Sequence, residues 1–174
     1  MDQVKIYYAI SSDRSSDELI RLSASHYAGN DMHAAEIVRQ RGKKPYFKNG
    51  EVHFSVSHSD FLWVCAFSAS EVGCDVQIRR DCPKFEKLAA RWFSSGESEK
   101  TRTERDFFDI WSRKEAYTKL LGTGIDENFK KYDTFSLTDA VIKDFAIPGC
   151  EEKFSASAAY RREFEIEFFD INNI

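Results

Sequence analysis

The sequence contains few of the residues that cross-link or interrupt a chain. Its 174 residues include only four cysteines, three prolines and eight glycines. The cysteines form no C-x-x-C pair, and only four histidines are present to complete a zinc site. This composition argues against a structural zinc or a disulfide framework. We therefore expect free thiols and a reducing, cytoplasmic setting.

An excess of basic charge and long apolar runs are also missing. The chain has 25 lysines and arginines against 29 aspartates and glutamates, for a net charge of −4. A general nucleic-acid binder needs a basic surface that exchanges counterions with phosphates, so we expect no nucleic-acid partner. No apolar stretch approaches the roughly 20 residues that span a bilayer. Asp2 precedes the first apolar run, which is unlike a signal peptide, so we expect no membrane association.

What the chain does contain is enough apolar material for a sizeable core. Hydrophobic residues make up 42% of the sequence and aromatic residues 14%. Periodicity and turn signals predict strands over residues 4–10, 52–57, 61–70, 72–78, 153–160 and 163–171, and helices from Ser16, through 31–40, after Pro83 and over 98–121. Asn49–Gly50 is predicted as a hairpin tip. Since strands and helices occur in both parts of the chain, we expect an α+β fold in two similar-sized halves, residues 1–70 and 71–174.

A first candidate site lies in the predicted strand 72–78. Asp75 and Gln77 share one face of that strand, about 6.5 to 7 Å apart along the backbone. Their carboxylate and amide oxygens could together hold one hard cation. The alternative for an isolated D-x-Q pattern is a solvent-facing strand with two ordinary polar residues.

A second candidate lies in the predicted helix that ends near Gly122. Residues 107, 110, 114, 117 and 121 form its apolar stripe with 3-4-3-4 spacing. Residue 114 is a lysine, which in such a position must either reach water or meet an anion. Glu115 and Lys119 lie one turn apart on the flank of the stripe. Alone they could be a surface salt bridge worth about 0.3 to 0.5 kcal/mol.

A third candidate combines the end of a predicted strand with a basic segment upstream. Ser57 and His58 could donate hydrogen bonds to a phosphate, and Lys44, which precedes Pro45, would add positive charge. A serine hydrolase is the competing interpretation, but the chain has no G-x-S-x-G element. A loop-capping role for His58 is the other alternative.

Three motifs, taken in order along the chain, resemble those of the 4′-phosphopantetheinyl transferases, specifically the Sfp-like, pseudodimeric group. They are GKKPYF with FSVSHS, then GCDVQ, then WSRKEAYTKLLGTGI. The resemblance covers about residues 41–125. It implies transfer of the phosphopantetheine arm of coenzyme A to a serine of an apo acyl or peptidyl carrier protein, with Mg²⁺ and with release of 3′,5′-ADP. It also implies two halves related by a pseudo-two-fold around a coenzyme A cleft, in a monomer. Residues 1–70 would form the adenine and phosphate side, and residues 71–174 would carry the metal and the catalytic helix.

The resemblance also implies roles for individual residues. The metal ligands would be Asp75, Gln77 and Glu115. The catalytic residues would be Glu115 and Lys119. The coenzyme A contacts would be Lys44, Pro45, Ser57, His58, Lys114 and Lys119. Gln77 departs from the family, in which many members have an acidic residue there, so the site has one negative charge fewer.

The alternative functions are a non-catalytic module of the same fold that binds coenzyme A or a carrier protein, and a magnesium-dependent phosphohydrolase.

Overall fold

The computed structural model describes residues 1–50 and 52–174 as a mixture of strands and helices. The strands are β1 (Asp2–Ile10), β2 (Ile37–Val38), β3 (Tyr46–Phe47), β4 (His53–Ser59), β5 (Leu62–Ser68), β6 (Val72–Ile78), β7 (Val141–Asp144), β8 (Phe154–Tyr160) and β9 (Phe164–Asp170). The helices are α1 (Ser16–Ala28), α2 (Phe85–Trp92), α3 (Ser95–Lys100) and α4 (Glu104–Leu121), with single 3-10 turns at Phe129–Lys131 and Ile171–Asn173. The predicted α+β class is confirmed. Among these described residues, no helix combines the length and the apolar character needed to cross a bilayer.

Two sheets organise the molecule. The first has the strand order β4-β5-β1-β9 and the second has the order β6-β8-β7, while β2 and β3 form a separate two-residue pair. In the first sheet β5 is antiparallel to both β4 and β1. In the second sheet β8 is likewise antiparallel to both β6 and β7. The last strand, β9, runs parallel to β1, so the end of the chain completes the sheet that its beginning started.

The first sheet is covered on both faces by apolar side chains. One face of β1 and β5 packs against β6 and β8 of the second sheet, through residues that include Ile6 and Val64. The other face packs against α1, through residues that include Tyr7 and Phe67. Every residue of β5 is buried as a result. This burial explains why residues 61–70 are apolar at nearly every position, as a strand covered on both faces requires.

The segment predicted as a helix through residues 31–40 is not one. It contains turns and the short strand β2. The side chain of Asp31 accepts a hydrogen bond from the backbone N–H of His33 at 2.9 Å, and such local bonds compete with helical ones. Val38 pairs with Tyr46 of β3 instead. The prediction failed because the hydrogen-bond partner of this segment comes from a later part of the chain.

Two other predictions of local structure also need correction. The helix predicted over residues 98–121 is divided into α3 and α4, because Thr103 caps the second helix. Its side chain accepts from the N–H of Asp106 at 3.1 Å, and the Asp106 carboxylate accepts from the N–H of Thr103 at 2.8 Å. The turn at Gly50 exists, with φ of 67°. It does not join a hairpin, since β3 pairs with β2 and β4 pairs with β5.

Candidate active site between β6 and α4

Strand β4 lies beside β6, and side-chain hydroxyls join the two. Alternate serines of β4 accept hydrogen bonds from alternate backbone N–H groups of β6: Cys74 to Ser55 (3.0 Å), Val76 to Ser57 (3.3 Å) and Ile78 to Ser59 (2.9 Å). The partners are always 19 residues apart, so the two strands run in the same direction. We call these three bonds the serine ladder. It connects the edges of the two sheets at the position of the predicted metal site.

Helix α4 crosses β6 at Gly73, where the two backbones come unusually close. A Cβ atom on Gly73 would lie 1.8 Å from the carbonyl oxygen of Ala116 and 2.6 Å from the backbone nitrogen of Leu120. Only glycine fits at this position. Because the helix is this close to the strand, Glu115 and Lys119 can reach Asp75, two residues further along β6.

Asp75 is the centre of the site and is 2% exposed. Its Oδ1 accepts hydrogen bonds from the Ser57 hydroxyl and from the Lys119 ammonium, both at 2.8 Å. Its Oδ2 accepts from the amide nitrogen of Gln77 at 2.7 Å. Lys119 also donates to the carbonyl oxygen of Val56 at 3.3 Å. Burial lowers the pKa of Lys119, but the charge and hydrogen bond of Asp75 together with the other surrounding negative groups outweigh this, and the pKa lies above its usual value.

Glu115 lies next to this cluster and is half-buried. Burial raises the pKa of its carboxyl group to about 7, and the negative charge of Asp75 acts in the same direction. Lys119 opposes the shift without cancelling it. The site thus places two carboxyl groups beside one lysine. A bound cation would stabilise the ionised form of Glu115.

Two adjoining cavities open beside these residues. One has a volume of about 260 Å³ and is lined by Glu115, Lys119, Lys44 and Pro45, among others. The second has a volume of about 450 Å³ and is also lined by Lys44 and Pro45. Lys44 donates hydrogen bonds to the Glu71 carboxylate at 2.7 Å and to the backbone carbonyl of Val72 at 2.8 Å. Lys44 and Pro45 thus form a wall shared by both cavities.

The donor atoms of the site fit a magnesium ion. Mg²⁺ in proteins is typically bound by one or two carboxylates together with substrate phosphates and water. Asp75 and Glu115 supply two carboxylates, and Gln77 contributes an amide where a third could stand. Accordingly, within residues 1–50 and 52–174, no group of three or more histidines, cysteines, aspartates or glutamates is arranged to hold a metal. Asp75 accepts three hydrogen bonds, which leaves one of its roughly four lone-pair sites for an ion.

The structure separates Lys114 from this cluster. The side chain is fully buried and donates to Glu97 Oε2 at 2.8 Å and to the carbonyl oxygen of Tyr132. The other oxygen of Glu97 accepts from the backbone N–H and the hydroxyl of Thr134, at 2.9 and 2.8 Å. Of the two outcomes predicted for Lys114, reaching water or meeting an anion, the structure shows the second, and the anion is Glu97. Its sequence signal is the capping box that it forms with Ser94 at the start of α3.

Ser57 and His58 also lie on different sides of β4, since consecutive residues of a strand point in opposite directions. Ser57 faces β6 and is 7% exposed. His58 is exposed and lines a separate cavity of about 250 Å³, together with Arg14 and Trp63. Of the predicted site residues, the structure thus brings together Asp75, Gln77, Glu115, Lys119 and Ser57, with Lys44 and Pro45 on the cavity wall. It does not bring His58 or Lys114 to the carboxylate cluster.

Comparison with known proteins agrees with this geometry. The family model described as the 4′-phosphopantetheinyl transferase superfamily matches residues 71–167, more than half of the chain. The match begins just before β6 and includes α4 and the residues clustered between them. The chain therefore belongs to the 4′-phosphopantetheinyl transferase superfamily, and the resemblance seen in its motifs is confirmed.

Individual relatives are similar over part of their length. A 4′-phosphopantetheinyl transferase of Bacillus subtilis is 30% identical over 116 residues, which are 63% of this chain and 51% of that protein. The transferase AcpT of Salmonella typhimurium is 33% identical over 93 residues, 49% of this chain and 48% of the relative. The transferase HetI of Nostoc sp. is 36% identical over 86 residues, 45% of this chain and 36% of the relative. The chain spans about half the length of the curated relatives it matches, or less.

Proposed function

We propose that this protein transfers the 4′-phosphopantetheine group of coenzyme A to a serine of an apo acyl or peptidyl carrier protein, in a magnesium-dependent reaction that releases 3′,5′-ADP. The observation that carries this proposal is the cluster of Asp75, Glu115 and Lys119 beside a cavity, in a chain of this superfamily. The names of its relatives support the transfer of phosphopantetheine in general. The donor, the metal and the serine acceptor are proposals for this chain.

The residues of the cluster have separate tasks in the proposed reaction. Asp75, Gln77 and Glu115 would hold Mg²⁺, which as a bound Lewis acid offsets the charge that develops on a pyrophosphate during cleavage. Lys119 presents a fixed positive charge to the same phosphates, which stabilises a transition state in which negative charge accumulates. Glu115 accepts the proton of the attacking serine, directly or through a water molecule.

The position of the cavities supports a binding mode for coenzyme A. Coenzyme A would contact Lys44 and Pro45, on the wall that both cavities share, and also Lys119. We retain His58 as a further contact. Lys114 and Ser57 have their polar atoms bonded within the protein. They would have to exchange those partners to touch the cofactor.

The connectivity of the strands supports a pseudo-two-fold arrangement. A strand, a helix and two further strands occur in the order β1, α1, β4 and β5, with the short β2 and β3 inserted, and again in the order β6, α4, β7 and β8, with α2, α3 and a 3-10 turn inserted. In both sets the last strand is central and antiparallel to the other two. We propose that residues 1–70 and 71–174 form these halves, with β9 crossing back to the first, and that coenzyme A binds in the cleft between them. Since both walls of such a cleft come from one chain, the protein would act as a monomer. We place it in the cytoplasm as a separate part of the proposal.

The decisive experiment is an intact-mass assay. The protein is incubated with an apo acyl carrier protein, coenzyme A and Mg²⁺, and the carrier protein should gain one phosphopantetheine group. A carrier whose acceptor serine is changed to alanine, and a reaction with EDTA, are the controls. If several carrier proteins remain unmodified although coenzyme A binds, the protein is a binding module. Cleavage of coenzyme A without any carrier protein would indicate a phosphohydrolase.

A further inference from the structure

Ser57 differs from the other serines of the serine ladder. Ser59, for comparison, uses its hydroxyl to accept the N–H of Ile78 at 2.9 Å. Ser57 accepts the N–H of Val76 at the longer distance of 3.3 Å and in addition donates to Asp75 Oδ1 at 2.8 Å. The same side chain therefore holds both the backbone of β6 and the carboxylate at the centre of the site.

Ser57 is also the donor to Asp75 with the most rigid attachment. Its backbone is fixed in the β4–β5 ladder, where it is paired with Val64. Lys119 and Gln77 reach Asp75 through long side chains with several rotatable bonds. In the proposed reaction Lys119 must also share its ammonium group with phosphates. The orientation of the Asp75 carboxylate thus depends on the short, strand-bound hydroxyl of Ser57.

A direct contact between Ser57 and a phosphate would conflict with this arrangement. A serine hydroxyl has a single proton to donate. In the structure that proton is directed at Asp75, and the side chain faces β6 with 7% exposure. A phosphate oxygen accepts hydrogen bonds and does not donate them when ionised, so Ser57 cannot serve Asp75 and a phosphate at the same time.

We propose that Ser57 is a positioning residue that orients Asp75 toward the metal, and that it does not contact coenzyme A itself. This inference rests on the proposed function only in taking Asp75 as a metal ligand. Groups that orient a metal ligand typically change metal affinity by about 10- to 100-fold when they are removed. Loss of the Ser57 hydroxyl should therefore weaken metal binding and leave the binding of coenzyme A nearly unchanged.

The test compares Ser57→Ala with Ser59→Ala, which removes one ladder bond without touching Asp75. Binding of Mn²⁺, a paramagnetic substitute for Mg²⁺, is measured by water-proton relaxation in the absence of any substrate. Ser57→Ala should weaken Mn²⁺ binding by about 10-fold or more, and Ser59→Ala by less than about twofold. Ser57→Thr, which keeps a hydroxyl, should restore most of the affinity. At saturating metal, the KM for coenzyme A should change by less than about twofold in Ser57→Ala.

Three outcomes would overturn the inference. Equal losses of Mn²⁺ affinity in Ser57→Ala and Ser59→Ala would reduce Ser57 to a structural link. A raised KM for coenzyme A with unchanged Mn²⁺ affinity would make it a substrate contact. Absence of Mn²⁺ binding by the unaltered protein would remove the metal site.

If Ser57→Ala does not fold, the same comparison is made with Ser57→Cys, whose thiol is a weak donor. Because Mn²⁺ binding needs no transfer, a failure of the transferase activity is distinguishable from a failure of this inference.

Discussion

Two lysines of α4, five residues apart, show how burial separates structural from chemical roles. Each is 2.8 Å from a carboxylate, Lys114 from Glu97 and Lys119 from Asp75. Both side chains of the first pair are 0% exposed, whereas Lys119 is 24% exposed beside a cavity. Five residues correspond to about 140° of rotation around a helix, so the two side chains leave α4 in different directions. One pair joins α3 to α4, and the other joins α4 to β6.

The electrostatics of the two pairs also differ. Burial lowers the pKa of Lys114, and Glu97 only partly offsets this. For Lys119 the surrounding negative charge exceeds the effect of burial, and the pKa is raised. Each ammonium group bonds one carboxylate and one carbonyl oxygen, so the number of partners does not separate the two lysines. What separates them is exposure: Lys114 is enclosed in the core and can only hold the fold together, whereas Lys119 lines a cavity and can also meet a substrate. The following changes test that difference, from the largest expected effect to the smallest.

Replacing Lys114 by methionine should cause the largest loss of stability among these changes. Glu97 would then be a buried carboxylate without its cation, which typically costs about 3 to 5 kcal/mol. The free energy of unfolding in urea gives the measurement. The double variant Lys114→Met with Glu97→Gln should recover much of the loss, because no charge then remains buried. If the free energy of unfolding of Lys114→Met lies within about 1 kcal/mol of that of the unaltered protein, a stabilising role of Lys114 is contradicted, because about 1 kcal/mol is the typical net value of one hydrogen bond.

Replacing Lys119 by methionine should, in the presence of Mg²⁺, reduce the rate of transfer far more than it reduces stability, because a bound cation would offset the charge of Asp75 that Lys119 no longer balances. Removal of one group that stabilises transition-state charge typically costs about 10²- to 10³-fold in rate. Initial rates of carrier-protein modification and unfolding in urea are measured on the same preparation. Lys114→Met is the matched control on the same helix. The distinction between the two lysines fails if Lys119→Met loses as much stability as Lys114→Met or keeps nearly full activity.

Gly73→Ala should disturb the second pair by moving the helix itself. The added Cβ would overlap the carbonyl oxygen of Ala116, so α4 must shift away from β6. Overpacking of this kind typically costs about 1 to 3 kcal/mol. The shift would also separate Glu115 and Lys119 from Asp75, and transfer should fall accordingly. Gly29→Ala is the control: Gly29 has φ of 70°, so alanine there strains the end of α1, but nothing lies within 4 Å of the added atom and α4 is not displaced. It should lose stability and leave transfer unchanged. Full activity of Gly73→Ala would show that this close approach is not needed.

Gln77→Glu should have the smallest effect, and its sign should depend on the metal. Without Mg²⁺ the variant loses the N–H that donates to Asp75 and places a second carboxylate beside it, so unfolding should become easier by about 1 kcal/mol. With Mg²⁺ the added charge favours the ion, and activity at low magnesium should be preserved or improved. Unfolding is compared in EDTA and in Mg²⁺, together with the magnesium dependence of the rate. A large loss of activity at low magnesium would contradict a position of Gln77 at the metal.

Local patterns in the sequence predicted much of this region. The alternation in VGCDVQI corresponds to β6, and Asp75 and Gln77 do share a face, since their side chains are hydrogen-bonded. The helical spacing around position 114 indicated a lysine directed into the core that must reach water or meet an anion, and the structure shows the second outcome. Strand alternation separates Ser57 from His58 once β4 is known to reach Ser59. The predicted strand ended at residue 57, so the two neighbours were assigned to one phosphate by their chemistry and their proximity in the chain.

The sequence by itself determined the α+β class, the strand and helix that form the site, and the family, because these depend on periodicity and on short motifs. Only the tertiary structure decided which partners those residues have. Glu97 meets Lys114 across 17 residues, and Ser57 meets Asp75 across 18. These pairs form because α3 lies beside α4 and β4 lies beside β6. Hydrogen bonds act over about 3 Å, and no local pattern specifies which distant segments come that close.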